Sequence, residues 1–255
     1  MHPLLLTTLA GLSTGLGGLL AVVCRPTQRL LAVSAGFAGG VMLVASLTDL
    51  VPGALRFYRG YLPPLGCGGA VVLLLAAGML LAALLGHLLP EEAELADRVA
   101  GDAARTAALR TALFTGMALL LHNFPEGVLT YFAGTADPSL GLRTTLAIAL
   151  HNIPEGLAVA VPFAFALRSR LGGALAALAS GLAEPAGALR AMLFLRRWFT
   201  PGFLNGTVVL VAGVMLWVAL AQLLPSAWAC PHRKTGLLGI AAGVLVMLLG
   251  IAALP

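Results

Sequence analysis

Apolar stretches of about twenty residues follow one another along the chain, separated by short breaks marked by polar residues, Pro or Gly. A helix crosses a bilayer in about 20 such residues. The pattern predicts eight crossings, at about 4–23, 30–55, 65–89, 111–133, 142–167, 171–195, 203–228 and 236–254. One polar loop of any length interrupts them, residues 90–110 (PEEAELADRVAGDAARTAALR), mixed in charge and helix-permissive. The first crossing has no basic lead and no evident cleavage site, so it reads as a retained helix rather than a signal peptide. Residues 1–255 read as one all-α transmembrane domain.

Two of these apolar runs carry the same six-residue phrase, His122-Asn123-Phe124-Pro125-Glu126-Gly127 and His151-Asn152-Ile153-Pro154-Glu155-Gly156. An ionisable group at membrane depth costs from a few to about 10 kcal/mol, so it is rarely kept without a task. Histidine and glutamate at i and i+4 lie one above the other on a helix face. Pro125 cannot donate to the carbonyl of Leu121, nor Pro154 to that of Leu150, so each helix is expected to kink beside its polar pair. Glu184-Pro185 repeats the feature, with the carbonyl of Gly181 set free. Glu126, Glu155 and Glu184 stand at equal intervals of 29 residues, about one crossing plus a turn. Antiparallel crossings bring three such carboxylates to one depth, as a metal site inside a helix bundle would require.

Composition narrows the class. Sixty per cent hydrophobic residues, 10% charged and a mean hydropathy of +0.99 exclude an ordinary soluble domain. A net charge of +5 could suggest nucleic acid. Instead the arginines sit at the ends of crossings, where they anchor and orient helices. Arg25 and Arg29 follow the first crossing and place it with the N-terminus outside. Most other basic residues then fall on the cytoplasmic side, while Arg196 and Arg197 are among those outside, and the C-terminus returns outside. Cys24, Cys67 and Cys230 are isolated and suggest neither a disulfide framework nor a thiolate cage. Glycine-rich faces such as GLSTGLGG suit close helix contact.

Imidazole nitrogen, carboxylate oxygen and amide oxygen suit zinc, Fe(II), Mn, Co and Cd, and offer nothing soft enough to select Cu(I). Three ionised glutamates with two neutral imidazoles sum to −3. One divalent ion brings this to −1 and two bring it to +1. Metal binding is therefore expected to displace protons, because ligands bind deprotonated. No organic cofactor is implied. Ser46, Asp49, His87, Ser180 and Gln222 are the remaining polar side chains that could line a pathway. His87 reads more simply as an interface residue at a span end, and Asp49 fits a pathway ligand and a polar span end equally well. A rival function is an intramembrane metalloenzyme with zinc-activated water. Against it, HExxH is absent and the repeated motif suits a pseudo-symmetric transport site.

HNFPEG, HNIPEGLAVAVP and the following SGLAEP together resemble the ZIP (Zrt-, Irt-like) family of divalent-metal transporters, in particular its bacterial, broad-range zinc-uptake branch. Weaker likenesses extend over GFAGGVMLVASLTDLVPGAL, LLGHLLPE and VAGVMLWVALAQLLPSAW. The resemblance implies eight helices arranged 3+2+3 with inverted outer triplets, an elevator-type motion and a homodimer in the plasma membrane. It also implies a binuclear site at mid-membrane. His122, Glu126, His151 and Glu155 would form one position; Asn123, Asn152 and Glu184 would form the other, with the motif glutamates bridging. The chain departs from the family pattern at Gly86, before His87, where relatives often carry an acid. It departs again at Ala221-Gln222, where glutamate is common, and at Asp49, where glutamate is usual. A histidine-rich loop is missing. These changes leave the central set intact and thin the carboxylates along the routes to it.

Overall fold

The structure, a computed structural model, describes residues 2–195, 200–229 and 231–253. Arg196, Arg197, Cys230 and the end of the last expected crossing at Leu254 lie outside the described residues. The described chain is helical, without strands. In order the elements are α1 (Pro3–Val23), α2 (Gln28–Val44), α3 (Val51–Tyr58), α4 (Pro64–Leu85), α5 (Glu92–Arg98) and α6 (Ala103–Ala136). They continue with α7 (Pro138–Leu167), α8 (Arg170–Gly181), α9 (Ala183–Arg190), α10 (Pro201–Val218), α11 (Leu224–Ala229) and α12 (Arg233–Ala253).

Helix starts are set by short polar caps and proline. Thr27, Asp102, Ser169 and Thr200 each accept a hydrogen bond from a backbone N–H two or three residues into the helix, at 3.0–3.2 Å. Asp137 caps α7 by accepting from the N–H and hydroxyl of Ser139, and these bonds hold its carboxyl below the usual aspartate range. Pro138 stands at the first turn, where no N–H is needed. The polar segment 90–110 folds as α5 and the opening turns of α6. Leu95 and Val99 seal it against Leu109 and Ala166.

Among the described residues, six stretches are long and apolar enough to cross a membrane: Pro3–Val23, Gln28–Tyr58, Pro64–Leu88, Pro138–Leu167, Pro201–Ala229 and Arg233–Ala253. The outward faces of these helices are rich in leucine, such as Leu65, Leu73 and Leu249, as a lipid-facing surface requires. The molecule is a multi-pass membrane protein. The remaining two expected crossings carry much of the buried polar chemistry. They correspond to the 34-residue α6 and to the α8–α9 pair, which is broken at Leu182 before Pro185. Pro125 and Pro154, by contrast, are accommodated without interrupting α6 or α7.

Two further prolines are absorbed by widened turns. The π turn Ala45–Leu50 precedes Pro52, and Val51 N–H donates to Ser46 O. The π turn Ala219–Leu223 precedes Pro225, and Leu224 N–H donates to Ala219 O. An inserted residue of this kind lets a helix pass a proline without breaking. The two segments also match in sequence, GVMLVASLTDLVP against GVMLWVALAQLLP, which places Asp49 opposite Gln222.

Backbone-to-backbone contacts divide the helices into two bodies. In one, α1, α6, α7, α8 and α9 pack through glycines; in the other, glycines pack α4 on α10 and α12 on α2 and α11, and α10 runs on through a π turn into α11. Between the bodies lies the main apolar core, made of residues such as Met42, Leu119, Val159, Met215 and Leu223.

Candidate metal centre

The motif residues lie in the first body, where α6 and α7 run antiparallel, held at the hairpin by Gly134 against Gly141. His122, Asn123, Glu155, Asn152 and Glu184 are wholly buried, and Glu126 and His151 nearly so. The pairing crosses between helices. His122 Nε2 meets Glu155 Oε2 at 3.2 Å, and His151 Nε2 lies 3.5 Å from Glu126 Oε1. Asn152 donates from Nδ2 to both Ala10 O (3.0 Å) and the Glu184 carboxylate. Asn123 donates from Nδ2 to Ser180 O at 3.1 Å. Histidine i and glutamate i+4 of one copy are thus shared out to the other copy's glutamate and histidine.

This leaves a dense set of unused ligand atoms. His122 Nδ1, Asn123 Oδ1, Glu126 Oε2, both nitrogens of His151, Asn152 Oδ1, Glu155 Oε1 and Glu184 Oε2 are buried without a hydrogen-bond partner. Every residue expected at the site contributes at least one. An unsatisfied buried polar atom costs about 1–3 kcal/mol, so such a concentration in one place calls for a ligand rather than for packing. The donors are imidazole nitrogen and carboxylate or amide oxygen, the set that suits borderline divalent cations. Among the described residues no three His, Cys, Asp or Glu side chains converge as a finished metal cage. The carboxylates here face imidazoles and an amide.

The site is reached from the α6–α7 hairpin end of the bundle. A cavity of about 810 Å³ extends from Arg143, Thr207 and Asp49 to Glu126 and His151. A second cavity, about 410 Å³, lies among Gln28, Ser34, Thr111, Pro162 and Ser226 and touches none of the motif residues. Of the other sequence candidates, Asp49 lines the larger cavity. Ser46 is buried in the first π turn with an unpaired hydroxyl. Ser180 joins the site through its carbonyl, while its hydroxyl donates to Ala177 O. Gln222 is half-buried and lines neither cavity, and His87 is exposed beyond the end of α4. Cys24 and Cys67 are free thiols.

The sequence marks the GLSTGLGG face of α1 for close helix contact, but not its place at the site. Ala10 accepts from Asn152 as Ser180 accepts from Asn123. A methyl group on Gly156 would lie 2.0 Å from Thr14 O, and one on Gly127 would lie 2.0 Å from Glu184 O. The glycine after each motif glutamate therefore exists to let a neighbouring backbone approach. Ile153 O bears on Gly17 as Phe124 O bears on Gly187. The signal was present in the chain: GLSTGLGGL (11–19) aligns with GLAEPAGAL (181–189), which sets Thr14 opposite Glu184.

The sequence was compared with known proteins. The model of the family described as "ZIP Zinc transporter" matches residues 98–252. The chain is 40% identical over 253 residues to "Zinc transporter ZupT" of Corynebacterium glutamicum, covering 96% of each protein. It is 37% identical over 253 residues to the protein of that name from Akkermansia muciniphila, covering 95% of this chain and 94% of the relative. The Chlorobium luteolum protein of the same name is 37% identical over 255 residues, with 97% and 96% covered.

Proposed function

This chain belongs to the ZIP zinc transporter family, and from that premise we propose that it carries divalent metal, zinc first, across the membrane into the cytoplasm. Its likeness along nearly its whole length is to transporters, and no residue arrangement favours the hydrolase alternative. The observation that carries the reading is the concentration of buried, unpaired donor atoms on His122, Asn123, Glu126, His151, Asn152, Glu155 and Glu184. Two cations could share these seven side chains, with Glu126 and Glu155 bridging. Iron, manganese, cobalt and cadmium accept the same ligand types.

The two imidazole–carboxylate contacts at the site are ones that a cation can replace. The carboxylates of Glu126 and Glu155 turn from an imidazole to the ion, and displaced protons leave through the larger cavity. The matched contacts of α1 with α7 and of α8–α9 with α6 support an inverted 3+2+3 arrangement of eight crossings. The division into two glycine-packed bodies supports an elevator-type motion of the body that holds the site. We place the protein in the bacterial inner membrane with both termini outside, as a homodimer.

Radioactive zinc flux into liposomes containing the purified protein tests the reading, beside Glu126→Ala and Glu155→Ala. Saturable flux is expected in the parent and in neither variant, with both variants recovered folded. Wild-type flux in either variant would remove that glutamate from the site. Zinc bound but not moved by the parent would remove transport itself.

A further inference from the structure

Among the described residues, three hydroxyls share with the motif residues the property of being buried and unpaired, namely those of Thr14, Ser46 and Thr115. Ser46 lies in the first π turn and Thr115 on α6 itself, two turns before His122, whereas Thr14 lies on a helix that packs across the second motif copy. It is wholly buried, and its carbonyl packs on Gly156, next to Glu155. Its side chain packs on the α8 terminus. A methyl group built on Gly181 would lie 2.9 Å from Thr14 Cβ and 3.1 Å from Thr14 Oγ1. The reciprocal contact is that of Gly11, whose added methyl would lie 3.3 Å from Glu184 Cβ. Thr14 therefore occupies, on α1, the place that Glu184 occupies after α8.

Helix direction separates the two in depth. Along α1, Gly11, Gly15 and Gly18 meet Gly181, Leu178 and Ala174 in turn, so the helices cross antiparallel. Thr14 and Glu184 each stand three residues past the crossing, about 4.5 Å in opposite directions at 1.5 Å per residue. The larger cavity opens at the α6–α7 hairpin, where Gly134 also touches Pro3 and Leu6 at the start of α1. Glu184 thus lies on the cavity side of the crossing and Thr14 on the far side, toward the end that holds the second cavity.

We propose that Thr14 Oγ1 is the oxygen that receives the ion beyond Glu184 and Asn123 on its way to the opposite end. This rests on the transport reading above. Asn123 is bonded through Nδ2 to Ser180 O, immediately before Gly181, and its Oδ1 is unpaired. Thr14 offers a neutral oxygen, so a divalent ion that retains part of its water shell is received there and not held. A carboxylate at the matching place on the other side binds the ion; a hydroxyl here lets it go.

The test is zinc flux and equilibrium zinc binding for Thr14→Val, which keeps the shape and removes the oxygen, and Thr14→Ser, which restores it. The expected result for Thr14→Val is a kcat about tenfold lower, corresponding to about 1.4 kcal/mol in barrier, with KM and bound zinc unchanged and with Thr14→Ser close to the parent. Wild-type kcat in Thr14→Val overturns the proposal, as does an equal loss in both variants, which would mean packing alone. Glu126→Ala in the same assay separates the two ideas. Its failure to abolish flux would overturn the carboxylate site, whatever Thr14→Val does.

Discussion

Gly11 and Gly181 meet backbone to backbone where α1 crosses the end of α8. A methyl group on Gly11 would lie 2.4 Å from Gly181 O, and one on Gly181 would lie 2.2 Å from Gly11 O. Neither obstacle is a side chain that can swing away. The crossing fixes the depth of Ser180 and Glu184 relative to Ala10 and Thr14, and through them the seats of both asparagines.

Gly181→Ala must push these helices apart. Overpacking of this kind costs about 1–3 kcal/mol, and the Tm in detergent should fall by several degrees, with zinc flux lost. Gly68→Ala is the control, because nothing lies within 4 Å of its added methyl group. It should be neutral or raise stability by up to about 1 kcal/mol, as replacing a mid-helix glycine does. Equal effects from the two would mean that the crossing is not tight.

The two asparagines are alike in sequence and unlike in what they hold. Asn123 serves one carbonyl, whereas Asn152 serves Ala10 O and the buried carboxylate of Glu184. Asn152→Leu should therefore cost more than Asn123→Leu, about 2–4 kcal/mol against about 1–2, since two buried acceptors lose their donor rather than one. Thermal unfolding of the two variants in the same detergent gives the order.

Arg105 ties the polar loop to the first body. Its Nε donates to Ala166 O at 2.7 Å and its Nη1 to Val99 O at 3.2 Å. In Arg105→Ala the amides of Glu92–Val99 should exchange with deuterium at least about tenfold faster, for a loss of about 1–2 kcal/mol of local stability. Unchanged exchange there would show that the contacts of Leu95 and Val99 suffice to hold the loop.

Asp137 gives a pH signature. Its carboxyl is held below the usual aspartate range by the Ser139 bonds. A depressed carboxylate contributes stability that is fully present above the unfolded value of about 3.9 and is lost as pH falls through the lower folded value. The difference in Tm between the parent and Asp137→Ala should hold steady from pH 7 to about 5 and shrink below about 4. A difference growing with acid would contradict the cap.

Much of the site was legible because membrane burial makes polar residues conspicuous. Two copies of a histidine and a glutamate in apolar runs have few explanations, and the structure buries these side chains in mutual contact, with Glu184 against Asn152. What stayed hidden was the share of α1. Ala10 acts through its backbone carbonyl and Gly17 through the absence of a side chain. Neither feature is visible in residue type alone. Thr14 escaped notice because a hydroxyl inside a helix normally bonds back to its own helix, and only the structure shows that this one does not. The breaks in the helices were uneven for a similar reason. Pro125 and Pro154 pass inside α6 and α7, whereas Pro185 ends one helix and begins another.

The seam between the two bodies differs in kind from the joints within them. At its centre it consists of methyl, phenyl and thioether groups, such as those of Ala118, Phe114, Val159 and Met215. Glycine-to-carbonyl contacts are keyed, so a shift of one residue brings side chains into collision. Aliphatic surfaces are not keyed in that way. One set of methyl neighbours can be exchanged for another with little change in dispersion energy. For the motion proposed above, such a seam would offer little friction while each body stays stiff, and a single polar graft in its middle would act as a brake.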